Sequence, residues 1–199
     1  MSKNHISAQM PISQSELANV YKLLSEAYIR PPTEELCNGF RRWYNEVNKQ
    51  QTALWEALEN VANGNASKLA SEYTRLIQGY HQSCSPHPPH ESVYRDGRLQ
   101  GPASVAVEQL YADAGLSYDG PPEQIDHLGT ELLFMSQLCE LEKKNAQKQF
   151  LENHLTEWIS DYYTEAKSYD PPKFYVGVFD LTQETVKIHK ENLDAGSVG

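Results

Sequence analysis

Cysteine is scarce in this sequence, and long apolar stretches are missing from it. Cys37, Cys84 and Cys139 are the three cysteines, and their odd number and wide spacing argue against a disulfide framework. No apolar run reaches the length of a membrane span, and residues 1–14 lack the apolar stretch of a secretory signal. The sequence therefore predicts a protein that stays in the cytoplasm and does not insert stably into a membrane.

Positive charge is also in short supply. The chain has 17 Lys and Arg against 27 Asp and Glu, which gives a formal net charge of −10 and a pI near 5.1. Such a surface repels phosphate backbones, and no cluster of Lys and Arg offsets that repulsion locally. Nucleic acid is therefore not predicted as a partner, whereas a cationic peptide is attracted to such a surface.

The short motifs that commonly carry chemistry are absent as well. The sequence has no G-x-x-x-x-G-K-[ST] phosphate loop, no G-x-G-x-x-G, no C-x-x-C and no H-E-x-x-H. It also lacks the G-x-S-x-G motif that presents a nucleophilic serine in many hydrolases. We therefore predict no cofactor and no catalytic residue, so that the protein is not expected to be an enzyme.

The feature that the sequence does contain is helical periodicity. Apolar residues recur with a period of about 3.6 residues through most of the chain, and strand-like alternation is scarce. Ser13 and Glu16 have the spacing of a capping box, and Pro31-Pro32 ends the first helix. Two long helices are predicted from Ile125 to about Lys143 and from Ala146 to about Lys167. The pattern predicts an all-α fold, a compact multi-helix domain of about eight or more helices.

One connection is long and rich in proline. Residues 81–100 contain Pro86, Pro88, Pro89 and Gly97, and no helix is predicted to run through them. We call this segment the hinge. The predicted organisation is a flexible N-terminus at 1–12, a single helical domain at 13–193 and a flexible tail at 194–199. Within the domain, an N-terminal part at 13–80 and a C-terminal part at 101–193 flank the hinge.

Two groups of side chains each allow more than one interpretation. Cys84, His87 and His90 have the spacing C-x-x-H-x-x-H, whose sulfur and imidazole groups suit zinc, although histidines on the surface need no such role. Asp126 lies at the start of a predicted helix, where the helix dipole favours a carboxylate that caps the helix. Asp126 and His127 also resemble a hydrolase dyad, but adjacent helical residues point about 100° apart. The sequence leaves both pairs of interpretations open.

Three motifs, in order along the chain, resemble the TorD/DmsD family of redox-enzyme maturation chaperones, whose distant relatives are the NarJ-like chaperones. Pro89–Tyr94 reads P-H-E-S-V-Y and is similar to the family's P-x-E-S-V-Y segment. Glu123–Met135 begins E-Q-I-D-H and resembles the family's E-P-x-D-H followed by an apolar helix. Phe150–Trp158 is similar to its F-L-x-x-H-L-x-x-W run. The main departure is Gln124, which stands where the family usually has proline.

The resemblance implies both a fold and a function. It implies a helical protein whose two parts are joined by the proline-rich hinge, either a monomer or a domain-swapped dimer. The implied function is to bind the twin-arginine signal peptide of a molybdopterin oxidoreductase subunit. The chaperone holds that subunit until its cofactor is inserted, which delays export of an empty enzyme. The residues around the hinge and the Asp-His pair are implied as the region that binds the signal peptide.

A physical hypothesis assigns roles within this implied site. The apolar part of the signal peptide becomes helical and lays one face into a groove walled by tyrosine and aliphatic side chains. Carboxylates of Glu91, Glu123 and Asp126 face its arginines, and His127 orients the peptide. Asp126→Ala is then expected to weaken binding with little loss of thermal stability. The predicted signal-peptide site consists of Tyr73, Leu76, Ile77, Tyr80, Pro86, Pro89, Glu91, Ser92, Tyr94, Glu123, Asp126 and His127.

The sequence leaves open two functions other than that of a chaperone. One is a metal-binding or metal-delivery protein that uses Cys84, His87 and His90. The other is a helical hydrolase built on Asp126 and His127, which requires an ordered third group and a closed pocket between helices.

Overall fold

The computed structural model of the protein describes residues 13–46, 52–79 and 84–196. Across these ranges the chain forms helices and no strand, which confirms the predicted all-α class. A 3-10 turn at Pro122–Gln124 precedes the seventh helix, and a π-helical turn at Leu151–Leu155 follows the eighth. The helices are α1 Gln14–Ile29, α2 Glu34–Glu46, α3 Thr52–Ala62, α4 Ala66–Leu76, α5 Glu91–Asp96, α6 Pro102–Asp113, α7 Leu128–Glu140, α8 Lys144–Phe150, α9 Thr156–Lys167 and α10 Lys173–Gly196.

The start of α1 follows directly from its sequence. The Ser13 hydroxyl accepts a hydrogen bond from the Glu16 amide at 3.2 Å, and the Ser13 amide donates to the Glu16 carboxylate at 2.8 Å. This reciprocal pair is the predicted capping box, and it satisfies donors that the first helical turn leaves open. The helix then buries the apolar face that its period predicts, including Leu17, Tyr21 and Tyr28.

The core lies between α1, α7 and α10. Helix α1 packs along α7, and α10 packs against α1 and α3. Gly129 allows α1 and α7 to approach closely, because a Cβ atom there would lie 2.6 Å from Ile29 Cγ1. Across the core, the Tyr28 hydroxyl is 3.0 Å from the Tyr163 hydroxyl and 3.1 Å from Thr182 Oγ1, so these buried polar groups satisfy one another.

The two predicted long helices are found with different boundaries. Helix α7 begins at Leu128 rather than Ile125, because His127 has extended backbone angles (φ −73°, ψ 137°). It ends before Glu142, whose φ of 51° is incompatible with a continuing helix. The second prediction corresponds to α8, the π-helical turn and α9. At this turn the Thr156 hydroxyl donates to the Leu151 carbonyl at 2.8 Å.

The prediction that no helix runs through the hinge is wrong for its second half. Helix α5 occupies Glu91–Asp96, between the prolines and a glycine. Pro89 lies before the first helical turn, where it removes no helical hydrogen bond. Gly97 ends the helix in the left-handed conformation (φ 71°), which glycine adopts without steric cost. The same residues that break helices over 81–100 therefore delimit a short one within it.

The two chain ends were predicted to be flexible. Residues 1–12 and 197–199 lie outside the described residues, whereas residues 194–196 of the predicted tail form the end of α10. No helix in the described ranges is long and apolar enough to cross a lipid bilayer.

Candidate functional site

The hinge is fastened to the start of α7 by paired backbone hydrogen bonds. The Leu128 amide donates to the Pro89 carbonyl at 2.8 Å, and the Glu91 amide donates to the Asp126 carbonyl at 2.9 Å. His90 and His127 are the central pair of this antiparallel bridge, and their ring centroids are 5.0 Å apart. Two of the motifs singled out in the sequence therefore meet side by side.

The Asp126 carboxylate lies inside this junction, where the residue is 1% exposed. Its Oδ2 atom accepts hydrogen bonds from the Ser92 amide and the Ser104 hydroxyl, both at 2.8 Å. His90 Nδ1 lies 3.3 Å from Oδ1. Although burial alone raises the pKa of Asp126, the hydrogen bonds from His90, Ser92 and Ser104 lower it to about 2. The carboxylate is therefore charged and internally bonded at neutral pH.

These contacts correct two expectations about Asp126. The carboxylate caps the first turn of α5 through Ser92, not the helix that follows it in sequence. It also does not face solvent, so it is not positioned to meet an arginine of a peptide in this conformation. Glu91 is fully buried as well, where its carboxylate contacts Arg95 and lies 2.8 Å from His154 Nδ1. The free carboxylate of the predicted set is that of Glu123, which is exposed.

His127 is the residue that caps α7. Its Nδ1 atom accepts a hydrogen bond from the Gly129 amide at 3.1 Å. Burial and, to a smaller extent, the nearby His90 lower the pKa of His127 to about 3, against the opposing effect of the charge of Asp126. A neutral imidazole whose Nδ1 accepts carries its hydrogen on Nε2. His127 can therefore donate one hydrogen bond from Nε2.

The hydrolase interpretation does not fit this geometry. Asp126 is hydrogen-bonded to His90 rather than to His127, whose Nδ1 is occupied by the backbone of α7. The hydroxyl of Ser104 donates directly to Asp126, so no histidine activates it. The proposed Asp126–His127 dyad is therefore not formed in this structure.

The proposed metal ligands are likewise separated. His87 Nδ1 lies 2.9 Å from the Glu165 carboxylate, on an imidazole whose side chain is 71% exposed. His90 turns inward to Asp126, and Cys84 lies at the surface. Over the described part of the chain, no three His, Cys, Asp or Glu side chains are grouped so as to hold a metal ion.

A cleft of about 510 Å³ opens beside the hinge junction, and we call it the hinge cleft. It lies where α1, α4, the hinge, the 3-10 turn region and α7 come together. Its walls are mainly aromatic and aliphatic, with a few polar groups from the two histidines, Gln78, Gln124 and Thr130. Such a lining suits an apolar ligand that is oriented by a small number of hydrogen bonds. The side chains that define it are Ile29, Tyr73, Ile77, Tyr118, His127 and Leu133.

The structure brings only part of the predicted site into this cleft. Tyr73, Ile77 and His127 line it. Leu76 is fully buried in the core, and Tyr94 lies on another side of the hinge, where it stacks on Trp158 and donates to Glu165 at 2.8 Å. Tyr80 lies outside the described residues. The predicted residues that are buried away from the cleft are Pro86, Pro89, Glu91, Ser92 and Asp126.

Several residues that line the hinge cleft or pack beside the hinge were not selected from the sequence. Ile29 was assigned no role, yet it is 47% exposed at the mouth of the cleft, and Leu133 and Tyr118 complete the walls. Glu131 and His154 lie within two of the quoted motifs, but neither was predicted to have a role. A carboxylate at the buried face of an apolar helix was the available signal for Glu131, because such a group requires a partner.

Comparisons with known proteins agree with the motifs. Residues 41–164 match the family described as nitrate reductase delta subunit. The chaperone protein TorD of Shewanella loihica is 26% identical over 94% of this chain and 97% of its own length. TorD of Colwellia psychrerythraea is 33% identical over 69% of this chain and half of its own. A solved structure from Archaeoglobus fulgidus, assigned to redox-enzyme maturation, covers 84% of this chain and 96% of its own, with 22% identity and a TM-score of 0.48.

The family match extends over more than half of the chain, and it includes the hinge, α7 and the π-helical turn. The resemblance of the three motifs to the TorD/DmsD family is thereby confirmed. This chain belongs to the nitrate reductase delta subunit family and is a redox-enzyme maturation chaperone of the TorD type, not an enzyme.

Proposed function

We propose that this chain is a cytoplasmic, system-specific chaperone for a molybdopterin oxidoreductase. It binds the twin-arginine signal peptide of the catalytic subunit, together with the apoprotein, while the cofactor is inserted. Export of the subunit is delayed until this step is complete. The observation that carries the proposal is the hinge cleft, a largely apolar site of about 510 Å³ between the first two of the three motifs that resemble the family.

The cleft suits the apolar part of a signal peptide. An apolar segment that becomes helical presents one face at i, i+3 and i+4 spacing, and it buries that face in a hydrophobic groove. Ile29 and Leu133 offer aliphatic contacts, and Tyr118 offers an aromatic one. His127 donates from Nε2 to a peptide carbonyl, because its Nδ1 already accepts from Gly129. Recognition of this kind depends on apolar area and tolerates different sequences.

The arginines of the signal peptide pair with carboxylates at the rim of the cleft rather than at its floor. Glu123 precedes the cleft residue Gln124 and is exposed, and Asp119 follows the cleft residue Tyr118 and is exposed as well. Guanidinium groups pair with carboxylates through bidentate hydrogen bonds, which fixes the direction of the peptide in the cleft. Asp126 acts indirectly in this proposal, since it holds the hinge that forms one wall.

The test combines capture of the client with a pair of matched variants. The tagged chaperone is used to capture proteins from its native cytoplasm, and a large oxidoreductase subunit that still carries its signal peptide is expected. A synthetic peptide of that signal sequence is then titrated against the wild type, Ile29→Gln and Leu141→Gln. Ile29 and Leu141 are 47% and 52% exposed, but only Ile29 lines the cleft, so Leu141→Gln is the control.

Ile29→Gln is expected to lower the affinity for the peptide by about tenfold. This change corresponds to partial loss of one buried aliphatic contact. Leu141→Gln is expected to bind as the wild type does. Equal affinities of all three proteins would place the peptide elsewhere on the molecule. Failure to capture such a subunit where it is expressed would contradict the proposal as a whole.

A further inference from the structure

Two carboxyl groups are buried together beneath the hinge helix. Glu91 is the first residue of α5, Glu131 lies in the first turn of α7, and both are fully buried. Both reach the same part of the π-helical turn and α9. His154 Nδ1 lies 2.8 Å from the Glu91 carboxylate, and Trp158 Nε1 donates to Glu131 Oε2 at 3.3 Å. His154 and Trp158 are four residues apart, so they occupy one face of this helical segment.

The two carboxyl groups have unequal partners. Glu91 contacts the guanidinium of Arg95 in addition to His154, so its negative charge is compensated. Glu131 has the indole of Trp158, and no donor from the described residues reaches its Oε1 atom. A buried polar atom without a partner destabilises the folded protein, because its hydration is lost and not replaced. A proton on Glu131 removes this destabilisation, because the carboxyl group then donates to Glu91.

The electrostatics of the two carboxyl groups also assigns the proton to Glu131. Two adjacent carboxylates in a buried site cannot both be ionised without a large cost. Burial raises the pKa of Glu131 well above its usual value, and the charge of Glu91, a hydrogen bond to Glu91 and the charge of Asp126 raise it further against the hydrogen bond from Trp158. Because Arg95 contacts Glu91 and not Glu131, the proton is assigned to Glu131.

We propose that Glu131 is a neutral carboxylic acid that donates its hydrogen to the Glu91 carboxylate, and that this bond is a pH-sensitive latch that fastens the hinge helix α5 to the helical core. The latch joins α5 to α7 and α9 and is independent of any peptide in the hinge cleft. The titratable and charged groups that face it are Glu91 and Arg95 of α5, Tyr111 of α6, Asp126 before α7, His154 of the π-helical turn and Tyr163 of α9.

The direction of the pH effect follows from the raised pKa. Below the pKa of glutamate in the unfolded chain, the proton is present in both states and the latch contributes fully. As the pH rises toward the pKa of the folded state, the unfolded chain loses its proton first, and the stability that the latch contributes is lost. Glu131→Gln retains a donor, its side-chain NH₂, and has no proton to lose. The variant therefore keeps the latch at alkaline pH.

The first readout is infrared spectroscopy of the full chain in heavy water. The wild type is expected to show the carbonyl stretch of a protonated carboxyl group near neutral pH, at a higher frequency than the amide band, and Glu131→Gln is expected to lack it. Glu140→Gln, at an exposed position of the same helix, is the control and should retain the band. Absence of the band from the wild type, or its persistence in Glu131→Gln, overturns the assignment.

The second readout is hydrogen exchange of the α5 amides, expressed as protection factors so that the intrinsic pH dependence of exchange is removed. As the pH rises from neutral to alkaline values, the protection in the wild type is expected to fall by up to about tenfold per pH unit until Glu131 ionises in the folded protein, and to stay constant in Glu131→Gln. If the protection factors of the α5 amides depend on pH equally in the two proteins, the proposed latch is contradicted. If Glu131→Gln does not fold, the infrared titration of the wild type decides alone.

Discussion

Asp126 joins three parts of the chain through one carboxylate. His90 belongs to the hinge, Ser92 to α5 and Ser104 to α6, and all three contact it within 3.3 Å. A buried carboxylate is stable only when such donors compensate its lost hydration. The residue therefore organises the hinge wall of the cleft from inside, and its effect on a bound peptide is transmitted through that wall.

Asp126→Ala is expected to lower the free energy of unfolding by about 2–4 kcal/mol, because it removes a charged acceptor and leaves the Ser92 amide and the Ser104 hydroxyl without a partner. This reverses the expectation from the sequence that stability would change little. The measurement is denaturant unfolding. Ser104→Ala, which removes one donor and keeps the charge, is the control and should cost about 1 kcal/mol. A loss for Asp126→Ala no larger than that of Ser104→Ala would contradict the observed bonding.

The free energy of unfolding, measured as a function of pH under acidic conditions, gives an independent check. Because the folded pKa of Asp126 is about 2, its contribution is present above the unfolded pKa near 3.8 and is lost as the pH falls between these values. The wild type should lose about 2 kcal/mol over this interval from Asp126 alone. Asp126→Asn, which does not titrate, should lack that part of the acid loss.

At the scale of helices, the sequence predicts what is local. The capping box at Ser13 and the apolar face of α1 depend on neighbouring residues, and both are found as predicted. Helix α5 was missed because six residues are too few to show a helical period. Its ends are nevertheless encoded by Pro89 and Gly97. The burial of Asp126 depends on donors that are distant in sequence, so no local pattern revealed it.

Part of the hinge cleft was predicted from the sequence, and part of it was missed. Tyr73 and Ile77 were selected for their helical face, and they do line the hinge cleft. Ile29 was missed because an exposed aliphatic residue at the end of a helix has no distinctive pattern of its own. Its place beside the cleft arises from the packing of α1 on α7, which a single sequence does not specify.

Gly129→Ala tests that packing. The added methyl group would lie 2.6 Å from Ile29 Cγ1 and 3.2 Å from both the Ile29 nitrogen and the Ser25 carbonyl oxygen. The two backbone atoms cannot rotate away, so α1 and α7 must separate, at an expected cost of about 1–3 kcal/mol in thermal or denaturant unfolding. Because Ile29 borders the cleft, peptide affinity should fall as well.

Gly115→Ala provides the comparison for that variant. A Cβ atom at Gly115 meets no atom within 4 Å, and the cost there arises from a φ of 70°, at about 1 kcal/mol. Peptide affinity should not change in Gly115→Ala. An unchanged affinity in Gly129→Ala as well would show that the position of α1 does not shape the peptide site.

For the molecule as a whole, the net charge of −10 acts over distances longer than any single contact. The Debye length is about 10 Å at 0.1 M salt, so the acidic surface attracts a basic peptide before the cleft is reached. The apolar floor then determines how long the peptide stays, because burial of apolar area is insensitive to moderate salt. Association and dissociation therefore depend on different parts of the molecule.

This separation predicts how salt acts on the proposed binding of a twin-arginine peptide. Between about 0.05 M and about 0.5 M salt, the association rate constant should fall about tenfold or more, while the dissociation rate constant changes little. Stopped-flow fluorescence of a labelled peptide measures both. A peptide with both arginines replaced by glutamine should associate slowly at every salt concentration. If salt acts mainly on dissociation, the arginines are held in buried pairs, and the rim carboxylates of Asp119 and Glu123 do not account for their recognition.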